Sequence, residues 1–449
     1  MKKKLTITVL VVIVLTLIIV SQYPKLYIAT GYGAKSMASG IFIGGREPLM
    51  VQDQDLNYSI VKYTSSKIDF VKKTVTTSFW GMAPQTAVFR KGLGCCLIDG
   101  KPLDSLMQIT FVPPAEQPGV WQKPWPEGDK LSDTIFAVIN RTRLDSFIND
   151  AFLTKGGNSK RTAAVVVVYK GKLVGEKYWK EKGITADTKL WGWSMNKSIM
   201  NALTGILVKE GKLDLNASAP VAEWLKDKRR NITINDLMHM SSGLKWNEDY
   251  GTAANTTKML FRDPNCYKTA ISAPLEAKPG TEWKYSSGTG NILSGIIRST
   301  IHNDNEYLAF PYRELFNKLG MSSMILETDL AGNFVGSSFG YATARDWARF
   351  GLLYYYNGVW QGDTILPKGW VDYSRTPASA SKGKYGAMFW SNLAHQLPDA
   401  PDDTYSCQGH RGQRVFIIPS RNLVIVRLGF SEEYFNHDEF LKGILEAVK

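Results

Sequence analysis

Two strongly apolar hairpins, far apart along the chain, constrain this sequence more than any other feature. Ala163 to Tyr169 is a β-branched run, Lys170-Gly171-Lys172 is a short turn, and Leu173 to Trp179 returns as a second strand. Near the other end, Arg414 to Ile418 and Leu423 to Leu428 repeat the pattern across Pro419-Ser420-Arg421-Asn422, and a helical tail follows from His437 to Val448. Between the hairpins the chain reads as helical and loop-rich. Thr134 to Phe152 carries Ile135, Val138, Ile139, Leu144, Phe147 and Ile148 at helical spacing, which predicts an opening helix. The order predicts an α/β (α+β) class: an antiparallel sheet built from both ends, with a helical insertion between them.

Ahead of that unit the sequence changes character. Lys2, Lys3 and Lys4 precede Leu5 to Val20, an uncharged apolar stretch interrupted only by three threonines. A cleaved signal peptide needs small residues just after such a stretch, and Ser21-Gln22-Tyr23-Pro24-Lys25 offers no small-x-small pair. An uncleaved span needs about 20 residues, which Leu5 to Tyr23 nearly supplies. The expectation is a signal anchor over residues 1–24 in the cell membrane, lysines inside and the rest of the chain outside. Residues 25–130 read as a polar, irregular lead-in that ends in a rigid, extended linker marked by Pro113, Pro114, Pro118, Pro124 and Pro126. Residues 131–449 form the main domain.

Composition narrows the function classes. With 44% hydrophobic and 21% charged residues the chain has an ordinary globular balance. A net charge of +13 suits anionic envelope polymers or lipid headgroups, or a merely solvated surface. No zinc-finger spacing and no concentrated Lys/Arg tract points to nucleic acid. Cys95, Cys96, Cys266 and Cys407 are too sparse for a disulfide framework and lack metal-ligand spacing with the histidines, so no metal or other cofactor is expected. Export permits one disulfide between an unassigned pair, and buried free thiols fit equally.

The chemistry centres on Trp191-Gly192-Trp193-Ser194-Met195-Asn196-Lys197, which runs into a helix with Ile199, Leu203, Ile206 and Leu207 on one face. Ser194 sits at the helix start and Lys197 one turn on, so both side chains share a side. A serine hydroxyl becomes a useful nucleophile when an adjacent base takes its proton. Lysine is that base only when desolvation or nearby cations lower its pKa. Taken alone the motif is weak, because Ser-x-x-Lys also occurs at Ser59, Ser242, Ser379 and Ser381. It then equally describes a helix-start serine and a solvated lysine.

Context adds to it. Lys284-Tyr285-Ser286-Ser287-Gly288 enters a second helical pattern, and His410-Arg411-Gly412 directly precedes the strand from Arg414. The ordered set Ser-x-x-Lys, Tyr-x-Ser, His-x-Gly resembles the beta-lactamase and penicillin-binding superfamily. It is most similar to the class C branch, which includes esterases, D-amino-acid peptidases and 6-aminohexanoate-dimer hydrolases. Leu237 to Leu244 and Tyr341 to Asp346 also look like that family, over roughly residues 130 to 449, and Gly40 to Leu97 looks like the upstream segment of some members. The resemblance implies a beta-lactamase/transpeptidase-like fold, an antiparallel sheet flanked by helices with an inserted all-helical domain.

It also implies roles. Ser194 is the acylated nucleophile, Lys197 and Tyr285 the general base and proton shuttle, and the backbone N–H groups of Ser194 and Gln413 the oxyanion hole. Gly412, His410 and Ser287 line the substrate. The implied substrate is a small amide, ester or short peptide. The third residue of the tyrosine motif is Ser287 where penicillin-recognising members commonly carry asparagine. His410-Arg411-Gly412 stands where beta-lactamases carry Lys-Thr-Gly, so a histidine neutral near pH 7 replaces the cation that grips a beta-lactam carboxylate. An amide or ester hydrolase is therefore expected, with a D,D-peptidase, a beta-lactamase or a non-catalytic penicillin sensor as the alternatives. Arg411 is placed on the opposite face of the strand from its neighbours.

A rival motif is present. Gly336-Ser337-Ser338-Phe339-Gly340 matches G-x-S-x-G, but a nucleophile elbow needs a strong strand before it and a helix directly after. Leu330 to Val335 is a weak strand, and the next helix begins near Thr343. His239 and His302 read as structural and Asp346 as a cap. Trp191, Trp193, Trp283 and Trp390 read equally as walls of an acyl pocket or as core.

Overall fold

The computed structural model describes residues 23–448 apart from 115–118, 120–121, 132–133, 156–157, 432 and 434. The apolar stretch from Leu5 to Val20 lies outside the described residues. Among the described residues no helix is long and apolar enough to cross a membrane.

The lead-in differs from the irregular segment expected. Residues 23–42 form helix α1, and a four-stranded antiparallel sheet follows: β1 (Thr64–Asp69), β2 (Thr74–Phe79), β3 (Met82–Arg90) and β4 (Gly94–Leu97), in sequential order. The packed positions of α1 are mostly small: Ala29, Thr30, Ala34, Ser36, Ala38 and Ser39 are each 4% exposed or less. A helix that packs by small residues carries little apolar periodicity, which is why the pattern conceals it. Its contacts reach across the chain. The buried Lys35 Nζ lies 2.5 Å from Glu327 Oε2, and Glu327 Oε1 accepts from Ser39 Oγ (2.9 Å) and from the Cys95 N–H (2.7 Å). Removing one partner of such a pair leaves an uncompensated buried charge, costing about 3–5 kcal/mol. Lys35→Met is therefore expected to lower the urea midpoint of unfolding by that equivalent, and Lys35→Met combined with Glu327→Gln to recover most of it.

The proline-marked linker does not run free either. Trp125 is buried, donates its indole N–H to Gly171 O (3.1 Å), and lies under the Arg349 guanidinium at 4.6 Å. The opening helix α2 is Arg141–Asp150, starting later than its apolar pattern because the Asn140 side chain accepts from the Arg143 N–H and caps it there.

Both hairpins are present. Strands β5 (Thr162–Tyr169) and β6 (Lys172–Tyr178) turn through Lys170 and Gly171, both at positive φ (47° and 76°), the turn that suits strand twist. After helices α3 (Asn196–Lys209), α4 (Ser287–Ile301) and α5 (Ala344–Tyr355), the chain returns as β7 (Trp390–Ser391), β8 (Tyr405–Gly409), β9 (Gln413–Ile418) and β10 (Leu423–Gly429). Helix α6 (His437–Ala447) closes it. β10 pairs antiparallel with β5, Val424 opposite Val168 and Val426 opposite Val166. The six-stranded order is thus β7-β8-β9-β10-β5-β6, with the two hairpins joined where β10 meets β5.

Alternate residues explain the apolar runs. Val166, Val168, Val415 and Val426 face a core shared with α5, α3 and α1, while Val165, Val167, Phe416 and Ile425 face α2 and α6. A strand covered on both faces has no polar side to alternate with. All four cysteines are buried free thiols.

Candidate active site

Ser194 stands on one tight turn, Trp193–Met195, that feeds directly into α3. Trp193 holds a left-handed φ of 50°, a conformation that costs a side-chain-bearing residue on the order of 1–3 kcal/mol. Aromatic packing holds it: the Trp193 indole stacks on Trp191 at 3.7 Å and on Tyr32 of α1 at 6.0 Å. These two tryptophans are buried core; Trp390 instead packs beside Tyr285 at 5.3 Å, with Trp283 next to it.

The three separated motif residues converge. Lys197 is 1% exposed and its Nζ donates to Ser194 Oγ (2.9 Å), Ser287 Oγ (3.1 Å) and Ser337 O (3.1 Å), matching an ammonium's three donors. Burial lowers its pKa to about 8, while the nearby Glu248 carboxylate acts in the opposite direction. Nζ also lies 4.8 Å from the Tyr285 ring centroid. The Tyr285 phenol is pushed well above its ordinary range by burial and then by Glu248, and a hydrogen bond with Ser194 pulls the other way. Tyr285 is placed by Ser286, whose side chain caps α4 through the Thr289 N–H.

Glu248 is the residue the motifs did not reveal. It accepts from the Trp246 indole (2.7 Å), from the Ser287 N–H (2.8 Å) and from Ser287 Oγ. Ser287 therefore links Lys197 to a carboxylate. Its one sequence cue is nearness to the family-like stretch ending at Leu244; a loop glutamate has no spacing of its own. The Ser337 carbonyl was likewise unforeseen. Ser337 and Ser338 are both fully buried behind Lys197, and Ser338 O accepts from the Trp191 indole at 2.7 Å. That seat is incompatible with an exposed nucleophile elbow.

The sheet edge closes the site. A Cβ on Gly409 would meet Gly192 O at 2.2 Å, so a glycine is required where β8 passes the Ser194 turn. His410, Arg411 and Gly412 form a tight, left-handed turn between β8 and β9, with Arg411 at φ 65° and Gly412 at φ 84°. The expected strand-face placement of Arg411 is thereby corrected. Its guanidinium runs into the lead-in, donating to Asp55 O (2.7 Å) and Gln54 O (2.8 Å) and lying 4.8 Å from the Tyr58 ring. The His410 ring stacks on Tyr250 at 4.6 Å and meets the edge of Trp193 at 5.0 Å. The Gln413 side chain is occupied with the Gly429 backbone, donating to its O (2.6 Å) and accepting from its N–H (3.0 Å). Any role in the cleft falls to its backbone. His239 ends the short helix Ile234–Met238 and His302 caps α4. Thr343, rather than Asp346, caps α5; Asp346 pairs with Arg349 at 2.6 Å.

A family model described as Beta-lactamase matches residues 150–439. The chain is 22% identical over 318 residues to the 6-aminohexanoate-dimer hydrolase of Paenarthrobacter ureafaciens, covering 64% of this chain and 74% of that protein. Among solved structures it is similar to EstCE1, a hydrolase with promiscuous acyltransferase activity (TM-score 0.56, 14% identity, 68% of this chain and 97% of that one). It is also similar to a penicillin-binding protein homolog from Caulobacter crescentus (TM-score 0.53, 15% identity, 70% and 99%). Those two likenesses show the fold. Because the matched residues take in both hairpins and all three motifs that meet at Ser194, the chain belongs to the Beta-lactamase family and is a serine hydrolase.

Proposed function

We propose that the enzyme cleaves small amides or esters through an acyl-enzyme on Ser194. The carrying observation is the buried Lys197 amine, 2.9 Å from Ser194 Oγ with its pKa lowered to about 8. In the unprotonated fraction the Nζ lone pair accepts the Ser194 proton as Oγ bonds to the substrate carbonyl carbon. Tyr285, a neutral phenol at rest, passes its proton to the departing amine or alcohol as Lys197 hands it the proton taken from Ser194. Water then attacks the acyl carbon, the same pair takes its proton and returns it to Ser194 Oγ as the acyl–Oγ bond breaks, and the free serine is restored. The backbone N–H groups of Ser194 and Gln413 hold the oxyanion, a donor of this kind being worth about 100- to 1000-fold in rate.

Arg411 is committed to the lead-in backbone, which leaves His410 where a beta-lactam carboxylate would need a cation. This favours amides and esters over beta-lactams. Screening short-chain esters, D-amino-acid amides, aminohexanoate oligomers and a chromogenic cephalosporin tests it. Turnover of an ester or linear amide is expected. Stable acylation without turnover would instead mark a sensor, and rapid cephalosporin cleavage a beta-lactamase. The apolar Leu5 to Val20 segment behind three lysines supports a location outside the cytoplasmic membrane, tethered to it.

Glu248 acts through Ser287 and is a positioning residue. Its negative charge holds the Lys197 pKa up, so Glu248→Gln is expected to move the rising limb of the kcat/KM pH profile to lower pH. It is also expected to lower kcat about tenfold, as a charged hydrogen bond to Ser287 becomes a neutral one. A pH profile that stays in place would refute the coupling.

A further inference from the structure

Between α1 and the loop from Tyr250 to Ala253 lies a cavity of ≈ 250 Å³. Ile28 and Tyr32 of α1, Val61 of the following turn, and Tyr250 and Phe261 of the hydrolase unit supply its walls, and the exposed Lys25 stands among its lining residues. The cavity and the active site share one wall, the Tyr250 ring. Tyr250 lines it on one side and stacks on His410 on the other, and its ring meets Trp193 edge-on at 5.9 Å. Tyr32, 4% exposed, stacks on the same Trp193, the residue directly before Ser194. Lys25, Ile28, Ala29 and Tyr32 of α1 and Tyr58 to Val61 of the turn after it supply eight of the fourteen lining residues, and all eight lie outside the residues matched by the family model.

We infer that this cavity binds the unbranched aliphatic chain of the substrate, the part remote from the scissile carbonyl, and that α1 is a specificity element of the enzyme. The inference rests on the acyl-transfer reading of Ser194 and extends it to a substrate class: esters or amides bearing a linear alkyl chain. Aliphatic and aromatic walls give such a chain no directional bonds, only burial. Burial of each added methylene raises kcat/KM about fourfold until the cavity is full.

The test uses p-nitrophenyl esters from acetate to decanoate with the full chain. Wild type is expected to gain at least 30-fold in kcat/KM from acetate to its best chain, roughly three methylenes' worth. Ala29→Phe, which fills the cavity from α1, and Thr252→Trp, at its exposed rim, are each expected to flatten that gain while leaving acetate turnover within about twofold. Circular dichroism separates this from misfolding, and Thr252→Trp, on a surface loop, keeps the test open if Ala29→Phe does not fold. A wild-type profile without chain-length gain, or variants that retain it, overturns the proposal. Binding of cis-parinaric acid to Ser194→Ala protein reads the cavity without catalysis. Loss of that binding in the Thr252→Trp background supports the site, and no binding to the parent overturns it. If no ester is hydrolysed but the fatty acid binds, the acyl-transfer reading fails and the chain site stands.

Discussion

Ser194→Ala is expected to abolish fluorophosphonate labelling and to lower ester or amide turnover by about 10⁴-fold or more, the scale on which loss of a serine nucleophile acts. The reason is geometric. Ser194 Oγ is the hydroxyl that Lys197 Nζ reaches at 2.9 Å in a site where that amine is buried and its pKa is depressed. Ser338, the central serine of the competing G-x-S-x-G sequence, is fully buried and faces no cleft. Ser338→Ala is accordingly expected to keep both labelling and turnover. The opposite pattern, labelling lost with Ser338 and kept without Ser194, would transfer the chemistry to the rival motif.

The second large effect belongs to Lys197 and carries a sign. As a base the amine works unprotonated. With a pKa of about 8, it is roughly one-tenth neutral at pH 7 and nine-tenths neutral at pH 9. The kcat/KM of wild type should therefore rise about tenfold across that interval, after subtraction of spontaneous hydrolysis. An ordinary lysine, pKa near 10.4, would still be climbing at pH 9. Tyr285 is shifted upward, away from the same window, so it does not supply the limb. Lys197→Ala should lose the limb together with about 10²- to 10⁴-fold in acylation rate. Lys197→Arg preserves the charge, yet a guanidinium does not deprotonate in this range, so it should be equally inactive. A Lys197→Arg enzyme with wild-type turnover would show that the cation, rather than the base, is what matters.

These residues differ in how visible they were beforehand. The hairpin strands announced themselves because Val165 to Val168 and Val424 to Val426 are apolar at every position, a local pattern with a local cause. Ser194 and Lys197 were legible for a related reason: three residues of separation on a helix is a geometric statement in itself. Tyr285 was legible only through its order relative to the other motifs. Glu248 and the Ser337 carbonyl were not legible. One is an ordinary loop carboxylate and the other a backbone group without side-chain identity, and both matter only through what lies opposite them.

The lead-in shows the same limit on a larger scale. Its helix packs with alanine, serine, threonine and glycine, whose close approach depends on the surface they meet: a Cβ on Gly31 would strike Phe261 O at 1.9 Å. Such a face has no hydrophobic stripe to read. Arg411 was expected on a strand face because the chain around it reads as a strand, whereas its left-handed turn and its bonds to Gln54 and Asp55 O depend on distant backbone.

By itself, then, the sequence determined the elements whose signal is periodic, namely the two hairpins, the helix behind Ser194 and the closing helix, together with the three motif residues and their order. Tertiary structure alone decided that Lys197 is dry, that Glu248 stands behind Ser287, that α1 packs against the Ser194 turn, and that Arg411 is drawn away from the cleft. The division has a physical basis. Burial and pairing are properties of what surrounds a group, and that surrounding is assembled from segments hundreds of residues apart, as with Lys35 and Glu327, whereas periodicity is carried by neighbours along the chain.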